Sequence, residues 1–192
     1  GGPASADVAA LAAGIAIAAA EIIPDAGKRM RQRIRAVGHP EEDVDVLAEL
    51  FAEDVPGWPA DAWLAIDDYH YAMESVASER FIGLVTSETS IRLILTTRNR
   101  PSWATARRIL YGEVQEVDRR ALAMERNEAL ELLGGGDLGA AELIQRARGW
   151  PAVLGIAAQA GDLDVPTDGL PDQLYDYFAE ELYRTAEPLV RG

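Results

Sequence analysis

The sequence predicts an α/β fold followed by a small all-helical unit, on two patterns and one composition. The first pattern is a pair of short apolar runs, Trp63–Ile66 and Ile91–Thr97, with a helix-spaced stretch, Ser75–Val85, between them. Strand, helix, strand at this length is the signature of a βαβ unit with parallel strands. The second is helical periodicity on either side of that unit, punctuated by Pro and Gly. The composition, 48% hydrophobic and 26% charged over 192 residues, suits an ordinary folded chain with a sizeable core. We expect an α/β unit over residues 1–120 and a helical unit over 121–192.

The elements follow in order. Val8–Ile23 is an Ala-rich apolar run with Leu11, Ile15, Ala18 and Ile22 spaced along one helical face. It is shorter than a bilayer span and has no basic segment before it, so it predicts a core helix and no membrane partner. Pro24-Asp25-Ala26-Gly27 is a break, and Lys28–Val37 a second helix with a basic outer face. After Gly38-His39-Pro40, Glu41–Val55 predicts an acidic amphipathic helix with Val44, Leu47, Phe51 and Val55 on one side. Pro56-Gly57-Trp58-Pro59 ends it. Past the βαβ unit, Glu113–Val117 is a candidate third strand. Helices are expected at Leu122–Leu133, Asp137–Arg148, Pro151–Ala160 and Asp172–Thr185, with Gly134-Gly135-Gly136, Gly149 and the polar loop 161–171 between them.

Charge narrows the function classes. Eighteen Lys and Arg against 32 Asp and Glu give a net charge of −14, which disfavours general binding to nucleic-acid backbones or anionic membranes. The absence of cysteine removes disulfides, thiolate metal sites and thiol nucleophiles, and fits a cytoplasmic location. Only His39 and His70 are available, too few for a His-rich metal centre. No Gly-x-Ser-x-Gly elbow occurs, so an α/β-hydrolase reading has no motif behind it.

The chemistry-bearing residues stand at the ends of the two apolar runs. Ligands of open α/β sheets bind outside the carboxyl ends of the strands, where Asp67 and Asp68 follow the first run and Arg98 follows the second. Adjacent carboxylates point to different sides and can divide two tasks, metal binding and polarisation of an attacking water. Arginine suits phosphate oxygens through its bidentate fork. The same residues also have plain readings, an acidic turn capping a helix and a surface arginine. His70, close to Asp68, is either a base or a packing residue.

Trp63–His70, Leu93–Pro101, Ala147–Leu154 and Leu174–Leu182 form four motifs in series, and together they resemble the STAND ATPases (signal-transduction ATPases with numerous domains), in the branch of maltose-regulator-like, LuxR-type transcriptional activators. Trp63-Leu-Ala-Ile-Asp-Asp-Tyr-His70 resembles the Walker B segment, and Leu93-Ile-Leu-Thr-Thr-Arg-Asn-Arg-Pro101 the sensor strand. Ala147-Arg-Gly-Trp-Pro-Ala-Val-Leu154 is similar to the Gly-x-Pro motif, and Leu174–Leu182 to the helix leading toward the winged-helix part. The resemblance spans roughly residues 60–185. It implies a truncated P-loop-NTPase-like parallel sheet flanked by helices, with Asp67 binding Mg²⁺, Asp68 as the catalytic carboxylate, Arg98 as phosphate sensor and Pro151 at the adenine.

The family's Gly-x-x-x-x-Gly-Lys-Ser/Thr loop is missing; Gly27-Lys28, followed by Arg29, does not supply it. The resemblance therefore implies ATP or ADP with Mg²⁺ in a full-length protein and none held by this chain alone. Without the phosphate-loop strand, which the resemblance places between these two, the sheet is expected to have a gap, closed by direct pairing, by another element or by a second chain. The implied whole is a nucleotide-dependent switch of a transcriptional regulator, meeting DNA only through a region outside this chain. Its partners would be other domains of the same protein, with self-association left open. The rival is a degenerate, non-catalytic protein-interaction module.

Overall fold

A computed structural model describes residues 7–135 and 138–160. The protein is mixed α/β, mostly helical, with a two-stranded parallel sheet flanked by helices. It divides into two units, Gly1–Gln115 and Glu116–Gly192.

In the first unit, Asp7 caps helix α1 (Val8–Ala20) by accepting the Ala9 N–H at 2.8 Å. The buried stripe of α1 is Val8, Leu11, Ala12, Ile15, Ala16 and Ala19. Ala18, expected inside, sits at the margin of that stripe and is exposed, and Ile22 lies past the helix end, half-buried. Small residues on this stripe let the next turn come close. Gly27, at φ 65°, is pressed so near α1 that a Cβ there would collide with the Ala16 Cβ. It opens α2 (Lys28–Ala36), which buries Met30 and ties two of its four arginines to carboxylates: Arg29 to Asp54 and Glu53, and Arg33 to Asp43.

Where one helix was expected over Glu41–Val55, a 3₁₀ turn (Pro40–Glu42) precedes α3 (Val44–Asp54). Pro40 fixes the first position of the turn and the chain re-enters a helix at Val44. Val44, Leu47, Phe51 and Val55 are all buried, as their spacing predicts.

Strands β1 (Trp63–Ile66) and β2 (Arg92–Leu95) pair directly and in parallel, Trp63 opposite Arg92 through Ile66 opposite Leu95. They are connected by a 3₁₀ helix (Tyr69–Glu74) and α4 (Val76–Glu88), which packs on α1 and α3. Helix α4 turns Phe81, Ile82 and Val85 inward, whereas Val76, at its first turn, is 86% exposed. Leu64, Ile66, Leu93 and Leu95 face the core. The opposite sheet face carries Trp63 and Ile94, 51% and 50% exposed, with the Arg92 guanidinium 5.3 Å above the Trp63 ring.

Thr105 caps the short α5 (Ala106–Leu110). The candidate strand Glu113–Val117 does not form. Its two apolar residues are three apart, off the strand period of two. The Glu113 and Val114 amides instead bond the Arg108 carbonyl, and the Glu113 carboxylate takes the Arg108 guanidinium at 3.0 Å.

The described part of the second unit contains α6 (Arg126–Leu132), α7 (Leu138–Ala147) and α8 (Pro151–Ala160). Helix α6 starts later than the expected Leu122. Asp118 captures the amides of Arg120 and Ala121 in a turn of its own, and Glu125 and Glu128 then form a capping box. Ala129, Leu143, Ala147, Val153, Leu154 and Ala157 make a separate small core. The helix expected at Asp172–Thr185 lies outside the described residues. Among the described residues no helix is long and apolar enough to cross a membrane.

Candidate functional site

The β1–β2 ladder runs one step past the strands and there builds a turn. Thr96 N–H donates to the Ile66 carbonyl at 3.1 Å, and the Thr96 carbonyl accepts the Tyr69 N–H at 2.8 Å. Between these two bonds the backbone of Asp67-Asp68 must reverse, and Asp68 does so at φ 54° and ψ 41°, the left-handed region. Aspartate tolerates that region better than most residues, but its use at a strand end is a local cost of the kind found at ligand sites.

The Thr96 hydroxyl completes the turn. It donates to Asp67 Oδ1 and accepts the Asp68 N–H at 2.9 Å. Hydrogen bonding to this hydroxyl, helped by the Asp68 amide, holds the Asp67 carboxyl below the ordinary carboxylate range against the opposing effect of desolvation. Asp67 is thus an exposed anion at neutral pH, while Asp68 keeps about half of its side chain open, 48%. In the sequence Thr96 is only part of an apolar run; one step past the Ile66–Leu95 pair, it falls opposite Asp67 in the parallel register.

Arg98 lies two residues beyond Thr96, exposed, in the bend that follows β2. It is therefore at the same end of the sheet as Asp67 and Asp68. The Thr97 hydroxyl donates to the Asn99 carbonyl at 2.9 Å and so shapes the bend from inside. His70 has Nδ1 3.9 Å from Asp68 Oδ1, too far for a hydrogen bond. That Nδ1 is buried without a hydrogen-bond partner, and the ring packs on Tyr71 with centroids 4.3 Å apart.

Pro151 belongs to the second unit, where it is exposed at the first position of α8. The corner before it is tight: Arg148 and Gly149 have φ of 52° and 73°, and a Cβ on Gly149 would stand 2.6 Å from the Met124 carbonyl oxygen. Trp150 lies under the Arg119 guanidinium at 5.5 Å.

As a metal site the acidic turn is sparse. Among the described residues no three His, Asp or Glu side chains gather to hold an ion. The Asp67 Oδ1 is already taken by the Thr96 hydroxyl. Comparison with known protein families, with curated proteins and with solved structures finds no match to this chain.

Proposed function

We propose that this chain is part of a STAND-type nucleotide switch from a transcriptional regulator, with a P-loop-NTPase-like sheet. It would contribute the Walker B-like turn, the sensor arginine and the Gly-x-Pro corner. The supporting observation is the direct parallel pairing of β1 with β2, which brings Asp67, Asp68 and Arg98 to one carboxyl end of the sheet. Thr96 orients Asp67 as an anion there, the state a carboxylate needs to hold Mg²⁺. The metal would supply charge neutralisation at the terminal phosphates.

Asp68, held apart from Asp67 by its left-handed backbone, would orient the attacking water. Arg98 would bond the terminal phosphate oxygens and distinguish ATP from ADP. No Gly-x-x-x-x-Gly-Lys-Ser/Thr string is present, so a phosphate-cradling segment would have to lie beyond this sequence. The activity would then belong to the full gene product. This chain alone should bind ATP weakly or not at all by calorimetry, because most of the positioning for phosphoryl transfer lies in that cradle.

Titration of fluorescent ATP and ADP onto the full gene product tests the reading. Arg98→Ala should weaken ATP at least about tenfold and ADP much less, by loss of one charge-assisted phosphate contact. Asp67→Asn should abolish the Mg²⁺ dependence. Equal affinities in all three proteins would reject the switch. The exposed Trp63 and Ile94 favour a second reading, a non-catalytic protein-interaction module, and complete absence of nucleotide binding would select it.

A further inference from the structure

Behind the acidic turn lies a buried carboxylate that the nucleotide reading does not use. Tyr69, which directly follows Asp68, is 1% exposed and donates its hydroxyl to Glu79 Oε1 at 2.6 Å. Glu79 Oε2 accepts the backbone N–H of Ser102, also at 2.6 Å. Trp103 donates its indole N–H to the Tyr69 oxygen at 3.1 Å and meets that ring edge-on. Burial, helped by the hydrogen bond to Glu79, pushes the Tyr69 hydroxyl far above its ordinary value, so it stays a donor at any physiological pH.

Glu79 itself is 8% exposed, and burying a carboxylate is costly unless its oxygens are bonded. Here each oxygen takes one short donor, and the two donors come from the two segments that flank the candidate site. Tyr69 anchors the Asp67–Asp68 turn, and Ser102 lies four residues past Arg98.

One stripe of α4 is given over to this fixture. Glu79, Gly83 and Thr86 stand at i, i+4 and i+7, on one helical face. A Cβ on Gly83 would come within 3.1 Å of the Trp103 Cβ, so the glycine is what lets the tryptophan seat. Thr86 bonds the Arg108 guanidinium through its hydroxyl and its carbonyl, at 3.0 and 3.3 Å, and that guanidinium lies 5.5 Å over the Trp103 ring. The helix thus grips the chain from Ser102 to Arg108.

We propose that Glu79 is a positioning residue that holds the acidic turn and the Arg98 segment in one register, so that a displacement of either is passed to the other. The functional half of this rests on the nucleotide reading above. A ligand pulling Arg98 would draw on Ser102, then on Glu79, and through Tyr69 on Asp68.

Amide hydrogen exchange on the 192-residue chain tests the coupling without any ligand. Glu79→Gln keeps the shape but offers one acceptor oxygen to two donors, and Tyr69→Phe is a milder cut of the same link. In both, exchange at Asp68–Tyr69 and at Ser102–Trp103 should rise together, by about tenfold or more, while α1 to α3 stay unchanged. Acceleration on one side alone, or spread evenly through the unit, would overturn the proposal.

In the full gene product, Glu79→Gln should reproduce the ATP-specific loss of Arg98→Ala, and the double variant should be no worse than Arg98→Ala. Additive losses would also overturn it. If the wild-type protein bound no nucleotide, the switch reading would fall, and the exchange result would still decide the role of Glu79.

Discussion

The Thr96 hydroxyl stands between two neighbouring aspartates and treats them oppositely, donating to the carboxylate of Asp67 and accepting from the amide of Asp68. One β-branched residue at a strand end thus favours the ionised form of Asp67 and holds the backbone path of the turn beside it.

Thr96→Val should raise the Asp67 pKa toward the usual 3.8. A carboxyl whose folded pKa is depressed adds stability above its unfolded pKa, and that contribution disappears as pH falls through the folded value. The wild-type advantage over Thr96→Val should therefore be complete above about pH 5 and shrink below pH 4. Carboxyl-detected NMR titration with urea unfolding at several pH values measures both. A stability gap that stays constant down to pH 2.5 would show that the hydroxyl acts only on the backbone.

At Asp68 the backbone sets the tolerance. Asp68→Asn keeps a side chain at ease in the left-handed region and removes one of two adjoining charges, so stability should move by no more than about 0.5 kcal/mol. Asp68→Val should cost about 1–2 kcal/mol or more, since a β-branched residue fits that region poorly. Equal urea midpoints for the two variants would contradict the turn geometry.

Gly27→Ala tests the packing of α1 on the turn that follows it. The new methyl would meet the Ala16 side chain in a backbone conformation that alanine avoids. Strain and overpacking together should cost about 2–4 kcal/mol. A loss under 1 kcal/mol by denaturant unfolding would mean that the turn can move away from the helix.

Pro151→Ala separates a local from a functional role. The proline is exposed and its missing N–H suits the first helical position, so the change should cost at most about 1 kcal/mol. Weaker ADP retention by the full gene product is then expected from the switch reading. Unchanged retention with a lower unfolding midpoint would assign Pro151 to helix initiation alone.

Legibility in the sequence followed periodicity. The four residues of β1 were readable because an apolar run stops abruptly at two aspartates, and the stripe of α3 because carboxylates fill its other face. The strand expected at Glu113–Val117 failed because two valines do not make an alternation, and the end of α5 had its own use for those amides. Asp67, Asp68 and Arg98 could be placed from the strand-end rule. The partners that organise them could not: Tyr69, Glu79 and Ser102 lie 10 and 23 residues apart, on a 3₁₀ helix, an α-helix and a loop. No local repeat encodes a bond of that kind.

The bare face of the β1–β2 pair has a consequence for handling the protein in solution. Among the described residues each strand has an unpaired edge, and Trp63 and Ile94 sit in the open between them. Such an edge is a template for adding further strands from other molecules. At neutral pH a net charge of −14 keeps copies apart. Close to the isoelectric point, near 4.5, that repulsion vanishes and the template remains. Turbidity should therefore appear first in mildly acidic buffer, and replacing Ile94 with lysine should delay it. The acidity of the chain thus acts as a colloidal safeguard that adds to the single charge, Arg92, which the strand pair carries on its exposed face.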